Sequence, residues 1–104
     1  MNMTIGQWYI GSCSSTSYEP IVVVPTGPQK NGAIAAVFYD FDRRKAYSGS
    51  TRGLNLLGWR ETNPDRIRSA FRKEGEKCVA RVAARLPGAT ALDRWNAFKD
   101  PKRG

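Results

Sequence analysis

The sequence predicts an α+β domain in which an antiparallel sheet of three or four strands is followed by two C-terminal helices packed on one face of the sheet. Short β-branched and aromatic runs, separated by Gly, Pro and Asn, fill the first half of the chain. Beyond residue 62, apolar residues recur at the spacing of an amphipathic helix. The 104 residues suffice for one domain. We assign residues 1–99 to that domain and residues 100–104 to a basic flexible tail.

The strands are expected in four places in the first half of the chain. Residues 5–14 carry Trp, Tyr and Ile and form the first strand. Residues 21–24 lie between two prolines, which cannot donate to a ladder, so a short edge strand is expected there and a loop over residues 25–32. Residues 33–39 and 45–50 read as a β-hairpin. The following stretch, residues 51–59, predicts either a short strand or an apolar lid.

The helical half begins at Asn63, a good N-cap residue, with Pro64 at the first helical position. Residues 63–86 predict one amphipathic helix with a weak point near Gly75, or two helices that meet there. A second helix follows from Thr90 to Lys99, where Thr90 and Asp93 have the spacing of a capping box. Leu92 and Trp95 are expected on the inner face of this last helix.

Composition excludes several classes of function. Because the chain contains no histidine, catalytic triads and nearly all zinc sites are ruled out, and no metal or cofactor is expected. Cys13 and Cys78 lack metal-site spacing, so two reduced thiols are favoured over a single disulfide. No apolar run approaches the ~18 residues of a membrane span, and no basic segment precedes an apolar run as in a secretory signal. A cytoplasmic protein is therefore expected.

Positive charge is concentrated in one part of the chain. Residues 1–42 hold one basic and three acidic residues, whereas residues 43–104 hold sixteen basic and six acidic residues. A net charge of +10 in the second segment against −2 in the first indicates a polyanionic partner. We therefore expect DNA, RNA or an acidic protein surface as the partner.

Three basic groups could hold a phosphate backbone. Arg43, Arg44 and Lys45 lie at the tip of the expected hairpin, and a two-stranded ribbon can enter a DNA groove. Arg52 follows in a loop of small polar residues that could present backbone N–H groups to a phosphate. The third group is the basic face of the first helix, which comprises Arg66, Lys73, Lys77 and Arg81, with Arg85 at its edge.

Two other classes of function stay open. The chain could be a protein-interaction module or an inhibitor that binds an acidic or nucleic-acid-binding surface of a larger complex. Because apolar anchors with arginine at the rim dominate such interfaces, its candidate anchors are Leu54, Leu56, Leu57, Trp59 and Trp95. An enzyme is not expected, although a histidine-free ribonuclease could use Tyr47, Arg52 and Arg60.

The segment FYDFDRRKAYSG and the helix after it carry one resemblance. Basic residues in a sheet and its hairpin, followed by a helix, resemble the small β-sheet DNA readers of the integrase arm-binding type. The resemblance implies that the hairpin and sheet face nucleic acid. The small, basic, single-domain character is also typical of accessory proteins of phages and mobile elements. The strand aromatics could add a stacking platform for single-stranded bases on the open face of the sheet.

Overall fold

The protein is described by a computed structural model that covers residues 3–13, 20–50 and 56–99. Within these ranges an antiparallel sheet of five strands is followed by three helices, so the α+β class and the order of sheet before helices are confirmed. The described sheet has five strands where three or four were expected, and the third helix arises because residues 64–85 form two helices, one of the two expected alternatives. The elements are β1 Trp8–Cys13, β2 Ile21–Lys30, β3 Ala33–Asp40, β4 Lys45–Ser50, β5 Leu56–Thr62, α1 Pro64–Phe71, α2 Lys73–Arg85 and α3 Ala91–Phe98.

The sheet has the order β4-β3-β2-β1-β5, so β2 is its central strand. The predicted edge position of β2 is therefore wrong. Its pairing with β1 covers only Ile21 to Val23, and Pro25 lies beyond it, where the Pro25 carbonyl accepts a hydrogen bond from Gly6 N at 2.9 Å. Because N–H and C=O of one strand residue point to the same side, the missing N–H of Pro25 faces this sparsely paired side.

The predicted loop over residues 25–32 is also wrong, because β2 runs on to Lys30. Lys30 pairs with Ala33, which leaves Asn31 and Gly32 as a two-residue turn with φ angles of 54° and 78°. Asn-Gly is the sequence most typical of such hairpin turns. The predicted hairpin of β3 and β4 is confirmed, and β5 occupies the sheet edge next to β1.

Alternation along the strands divides the apolar side chains between two cores. Val22, Val24 and Tyr39 face the helices and pack with Ile67, Cys78, Val79 and Val82. On the other sheet face, Tyr9, Val23, Phe38 and Trp59 form a second buried cluster. The aromatic residues Tyr9, Phe38, Tyr39 and Phe41 are buried and Trp8 and Tyr47 are half-buried, so the described part of the sheet presents no fully exposed stacking platform.

The long helical segment is two helices that meet at Arg72, three residues before the predicted weak point. Arg72 has a φ angle of 54° and separates α1 from α2. Gly75 marks the close approach of the two helices, because a Cβ there would lie 2.3 Å from the carbonyl oxygen of Ile67. Gly75 is therefore buried by helix packing and does not lie on a polar face.

Both predicted helix caps are present. The Asn63 side chain accepts a hydrogen bond from Arg66 N at 2.8 Å, and Thr90 and Asp93 form a complete capping box. The helix α3, however, presents Leu92 and Trp95 to solvent, so their predicted position on its inner face is wrong. The helix α3 packs on α2, and alanines line the grooves on both sides of this helix pair. Because alanine offers little apolar area to cover, the large apolar side chains of α3 are left exposed. No described helix is long and apolar enough to cross a membrane.

Candidate nucleic-acid interface

The β3–β4 turn projects the predicted basic tip from the edge of the sheet. The carboxylate of Asp40 shapes this turn, because it accepts hydrogen bonds from Asp42 N at 2.9 Å and Arg43 N at 3.4 Å. Arg44 follows with a φ angle of 54°, and Lys45 begins β4. The side chain of Arg43 is 82% exposed. The turn therefore has a hydrogen-bonded conformation in which its basic side chains are exposed.

The turn is docked on α2 by polar contacts with its basic residues. Arg81 Nη1 donates a hydrogen bond to the carbonyl oxygen of Arg44 at 2.9 Å. The carboxylate of Glu74 lies 3.8 Å from Arg44 Nε and 3.7 Å from Lys77 Nζ. These contacts bring the hairpin tip and the basic helix, which the sequence presented as separate candidates, into one surface.

A groove of about 450 Å³ lies between the start of β4, α2 and α3. Its apolar lining consists of alanines and of Phe98, and no described acidic residue lines it. We call it the cationic groove. Its basic residues are Arg44, Lys45, Arg81, Arg85 and Arg94.

The opposite side of the α2–α3 pair has a second groove of about 340 Å³ with mixed charge. Arg68 and Lys99 line it together with Glu76 and Asp93. Hydrogen bonds from Thr90 hold the pKa of Asp93 below its usual range, so this carboxylate is charged at neutral pH. The two sides of one helix pair thus differ in electrostatics, and the cationic groove is the side without carboxylates.

The charges of the cationic groove are largely uncompensated. Among the described residues, Arg85 and Arg94 have no carboxylate within ion-pair distance. Arg44 shares Glu74 with Lys77, and at nearly 4 Å these are loose pairs. A guanidinium group without a carboxylate partner keeps its donors available for a phosphate.

The predicted basic helix face is divided in the structure. Arg81 lines the cationic groove, and Lys73 is exposed on the same helix. The side chain of Lys77 is only 12% exposed and pairs with Glu74. Because Glu74 also pairs with Arg44 of the β3–β4 turn, Lys77 belongs to the contact between α2 and the hairpin and presents little charge to solvent. Arg66 lies on α1 in another cavity beside Arg60, because the break at Arg72 changes the direction of the chain.

Sequence reasoning missed Arg94 and placed Arg85 only at the edge of the basic face. Both residues face the cationic groove because α3 folds back along α2 after the turn at Pro87 and Gly88. The signal in the sequence was the position of Arg94 four residues before Phe98, which places the two side chains on one helix face. Which face of α3 points to solvent depends on how α3 packs on α2, and the sequence alone does not show this packing.

The candidate protein-binding anchors have different surroundings. Trp59 is buried in the second core, where its indole covers Gly11 so closely that a Cβ there would lie 2.7 Å from the ring. It is not available to a partner. Trp95 is 59% exposed. Leu56 and Leu57 belong to β5, but the structure does not describe their side chains, and Leu54 and Arg52 lie outside the described residues.

The candidate catalytic residues are separated by the whole width of the sheet. Tyr47 lies on β4 and Arg60 on β5, the two outer strands of the sheet. Three strands therefore lie between them, which at about 4.8 Å per strand corresponds to about 19 Å across a flat sheet. In the described ranges no cluster of Cys, Asp and Glu could hold a metal ion.

Two buried groups on the sheet side of α2 have raised pKa values. Burial raises the pKa of the Cys78 thiol, which is free and therefore not in a disulfide. Burial also raises the pKa of Tyr39, and the nearby Arg81 guanidinium partly offsets this rise. Both groups are neutral at neutral pH, so neither adds a negative charge beside the groove residue Arg81.

Comparison of the chain with protein-family models, with curated proteins and with solved structures finds no match.

Proposed function

We propose that this protein binds nucleic acid and that the cationic groove holds the phosphate backbone. The observation that carries the proposal is the segregation of charge about α2 and α3, with five cations and no described carboxylate in one groove. Basic residues of the β3–β4 turn extend the same surface, and Arg43 at its tip is exposed. A cytoplasmic location fits both this partner and the free thiol of Cys78.

Binding would work by replacing counterions with protein cations. Each phosphate that an arginine or lysine neutralises releases condensed ions, which is the main source of affinity at low salt. The guanidinium groups of Arg85 and Arg94 can each contact a phosphate in bidentate fashion. Arg81 contributes charge while its hydrogen bond to Arg44 keeps the turn in place.

The test is a salt series of fluorescence anisotropy titrations with labelled DNA and RNA oligonucleotides. Five phosphate contacts predict a slope of log affinity against log salt of roughly −4. The double variant Arg85→Ala/Arg94→Ala should weaken binding at low salt and should make the slope less negative by about 1.5.

A matched control removes the same charge from the other side of the helix pair. Arg68→Ala/Lys99→Ala changes the net charge by the same amount, and both residues line the mixed groove. This variant should keep the slope of the wild-type protein to within about 0.5. Equal effects of the two double variants would show non-specific attraction to a basic protein and would contradict the proposal.

The protein-interaction alternative is weakened by the burial of Trp59 and keeps Trp95 as its exposed anchor. The two functions differ in their salt dependence and in their ligand. If no oligonucleotide binds even at low salt, the exposed face of α3 becomes the place to search for a protein partner. We propose no catalytic role.

A further inference from the structure

The outer face of α3 is apolar and exposed. Leu92, Trp95 and Phe98 are 65%, 59% and 84% exposed, and α3 buries none of its residues. Trp95 and Phe98 lie side by side, with ring centroids 6.4 Å apart and an angle of 29° between the ring planes. Their arrangement presents two nearly parallel aromatic rings at the surface.

These rings adjoin the cationic groove. Phe98 itself lines the groove together with Arg94, which lies one helical turn before it. The helix α3 thus carries a basic side chain and an aromatic ring on the one face that lines the groove. A ligand that matches both must be a polyanion with flat apolar groups at short intervals, which is the chemistry of a nucleic-acid strand.

The exposure of the rings distinguishes a single strand from a duplex. In a duplex the base faces are stacked on each other, so a surface aromatic residue cannot reach them without unstacking. In a single strand every base offers its face, and stacking on an aromatic side chain is the usual mode of recognition. On the sheet, Tyr9, Phe38 and Tyr39 are buried and Trp8 and Tyr47 are only half-exposed, so the most exposed aromatic rings of the described residues are those of α3.

Resting on the proposed function, we infer that the ligand is single-stranded nucleic acid, with phosphates in the cationic groove and successive bases stacked on Phe98 and Trp95. The contact requires no rearrangement, since both rings already lie on the surface of α3. Because every base has an aromatic face, little sequence preference is expected from this contact.

Four labelled probes of equal length test the inference by anisotropy: a mixed-sequence DNA single strand, the same strand as RNA, the DNA duplex, and an abasic DNA strand that keeps the phosphates. The wild-type protein should bind the single strand more tightly than the duplex or the abasic strand. Phe98→Ala and Trp95→Ala should each weaken single-strand binding about tenfold, the usual effect of losing one stacked base. Binding of the abasic strand should not change.

Leu92→Ala is the matched control, because Leu92 is an exposed apolar residue of the same helix without a ring. It should leave single-strand binding unchanged. Circular dichroism should show the wild-type spectrum for all three variants, since these side chains are largely exposed. Emission of exposed Trp95 should fall when the single strand binds, and Trp95→Phe should remove that quenching while retaining much of the affinity.

Other outcomes would overturn the inference and separate it from the proposed function. If the duplex binds as tightly as the single strand and the ring variants lose nothing, the groove binds phosphate but α3 does not stack bases. If Phe98→Ala and Trp95→Ala weaken binding of the abasic strand as much as binding of the base-carrying single strand, the two rings do not act by stacking on bases. If none of the probes binds at low salt, the proposed function fails as well.

Discussion

The guanidinium of Arg81 donates a hydrogen bond of 2.9 Å to the main-chain carbonyl of Arg44, a residue 37 positions earlier in the chain. The carbonyl belongs to a residue with positive φ in the β3–β4 turn, and Arg81 lies midway along α2. This contact, with the Glu74 carboxylate beside it, joins the basic hairpin to the basic helix. The cationic groove exists because the two elements are held together.

Arg81→Ala should therefore lower stability as well as binding. Loss of the hydrogen bond to the Arg44 carbonyl is expected to cost about 1 kcal/mol of unfolding free energy. Arg85→Ala removes the same charge but no hydrogen bond to a described residue, so its stability should stay within about 0.5 kcal/mol of wild type. Urea denaturation followed by circular dichroism measures both. Equal stabilities of the two variants would show that the Arg81 contact contributes nothing to the fold.

Gly75→Ala should destabilise the protein although alanine is the better helix former. The added Cβ would lie 2.3 Å from the Ile67 carbonyl oxygen and 2.9 Å from Arg68 Cα, and backbone atoms cannot rotate away. Overpacking should outweigh the helix-propensity gain of about 1 kcal/mol, for a net loss of about 2 kcal/mol.

A suitable control for that substitution is Gly32→Ala, where no atom lies within 4 Å of the added Cβ but φ is +78°. Its cost should be limited to backbone strain of about 1–2 kcal/mol. Chemical denaturation of both variants gives the comparison. A Gly75→Ala protein more stable than wild type would mean that α1 and α2 do not meet as described.

Trp59 and Trp95 should respond in opposite ways to the same substitution. Trp59→Ala empties a buried site in the second core and should cost about 3–5 kcal/mol. Trp95→Ala removes an exposed ring and should change stability by less than about 0.5 kcal/mol. Thermal or urea denaturation of both variants measures these changes in stability. A large loss for Trp95→Ala would show that α3 packs more tightly than its exposure indicates.

Stability should fall in alkaline solution because of Cys78. Burial keeps the native thiol protonated above its ordinary pKa of 9.0, whereas the unfolded chain releases that proton. The unfolded state then binds fewer protons than the native state, so the unfolding free energy decreases as pH rises above about 9, by up to about 1.4 kcal/mol per pH unit. Below that pH the group has no effect on the pH dependence.

The informative quantity is the slope of the unfolding free energy against pH. Cys78→Ala lowers stability at every pH through its cavity, but it should flatten the decline between about pH 9 and 10. Tyr39 also has a raised pKa and should add to the decline only above its ordinary pKa of 10.0. Identical slopes for wild type and Cys78→Ala would place the thiol in contact with water.

Local chemistry made several elements predictable from the sequence. The caps at Asn63 and Thr90 and the hairpin around Arg43 and Arg44 depend on residues only a few positions apart, and all three are confirmed. The central position of β2 was not predictable, because the flanking Pro20 and Pro25 favour an edge strand and the sequence does not show which strands pair with β2 on its two sides. The extent of β1 decided it, since its pairing with β2 leaves Pro25 outside the ladder.

The amino-acid sequence was enough to predict the α+β class, the concentration of nearly all positive charge in the second part of the chain and the basic character of the hairpin tip. These follow from composition and short-range patterns, which do not depend on how distant segments meet. The tertiary structure decided which cations lie together: Arg66 was separated at Arg72, and Arg85 and Arg94 were brought to the groove. It also placed Trp59 inside and Trp95 outside, because only packing determines which face of an element finds a partner.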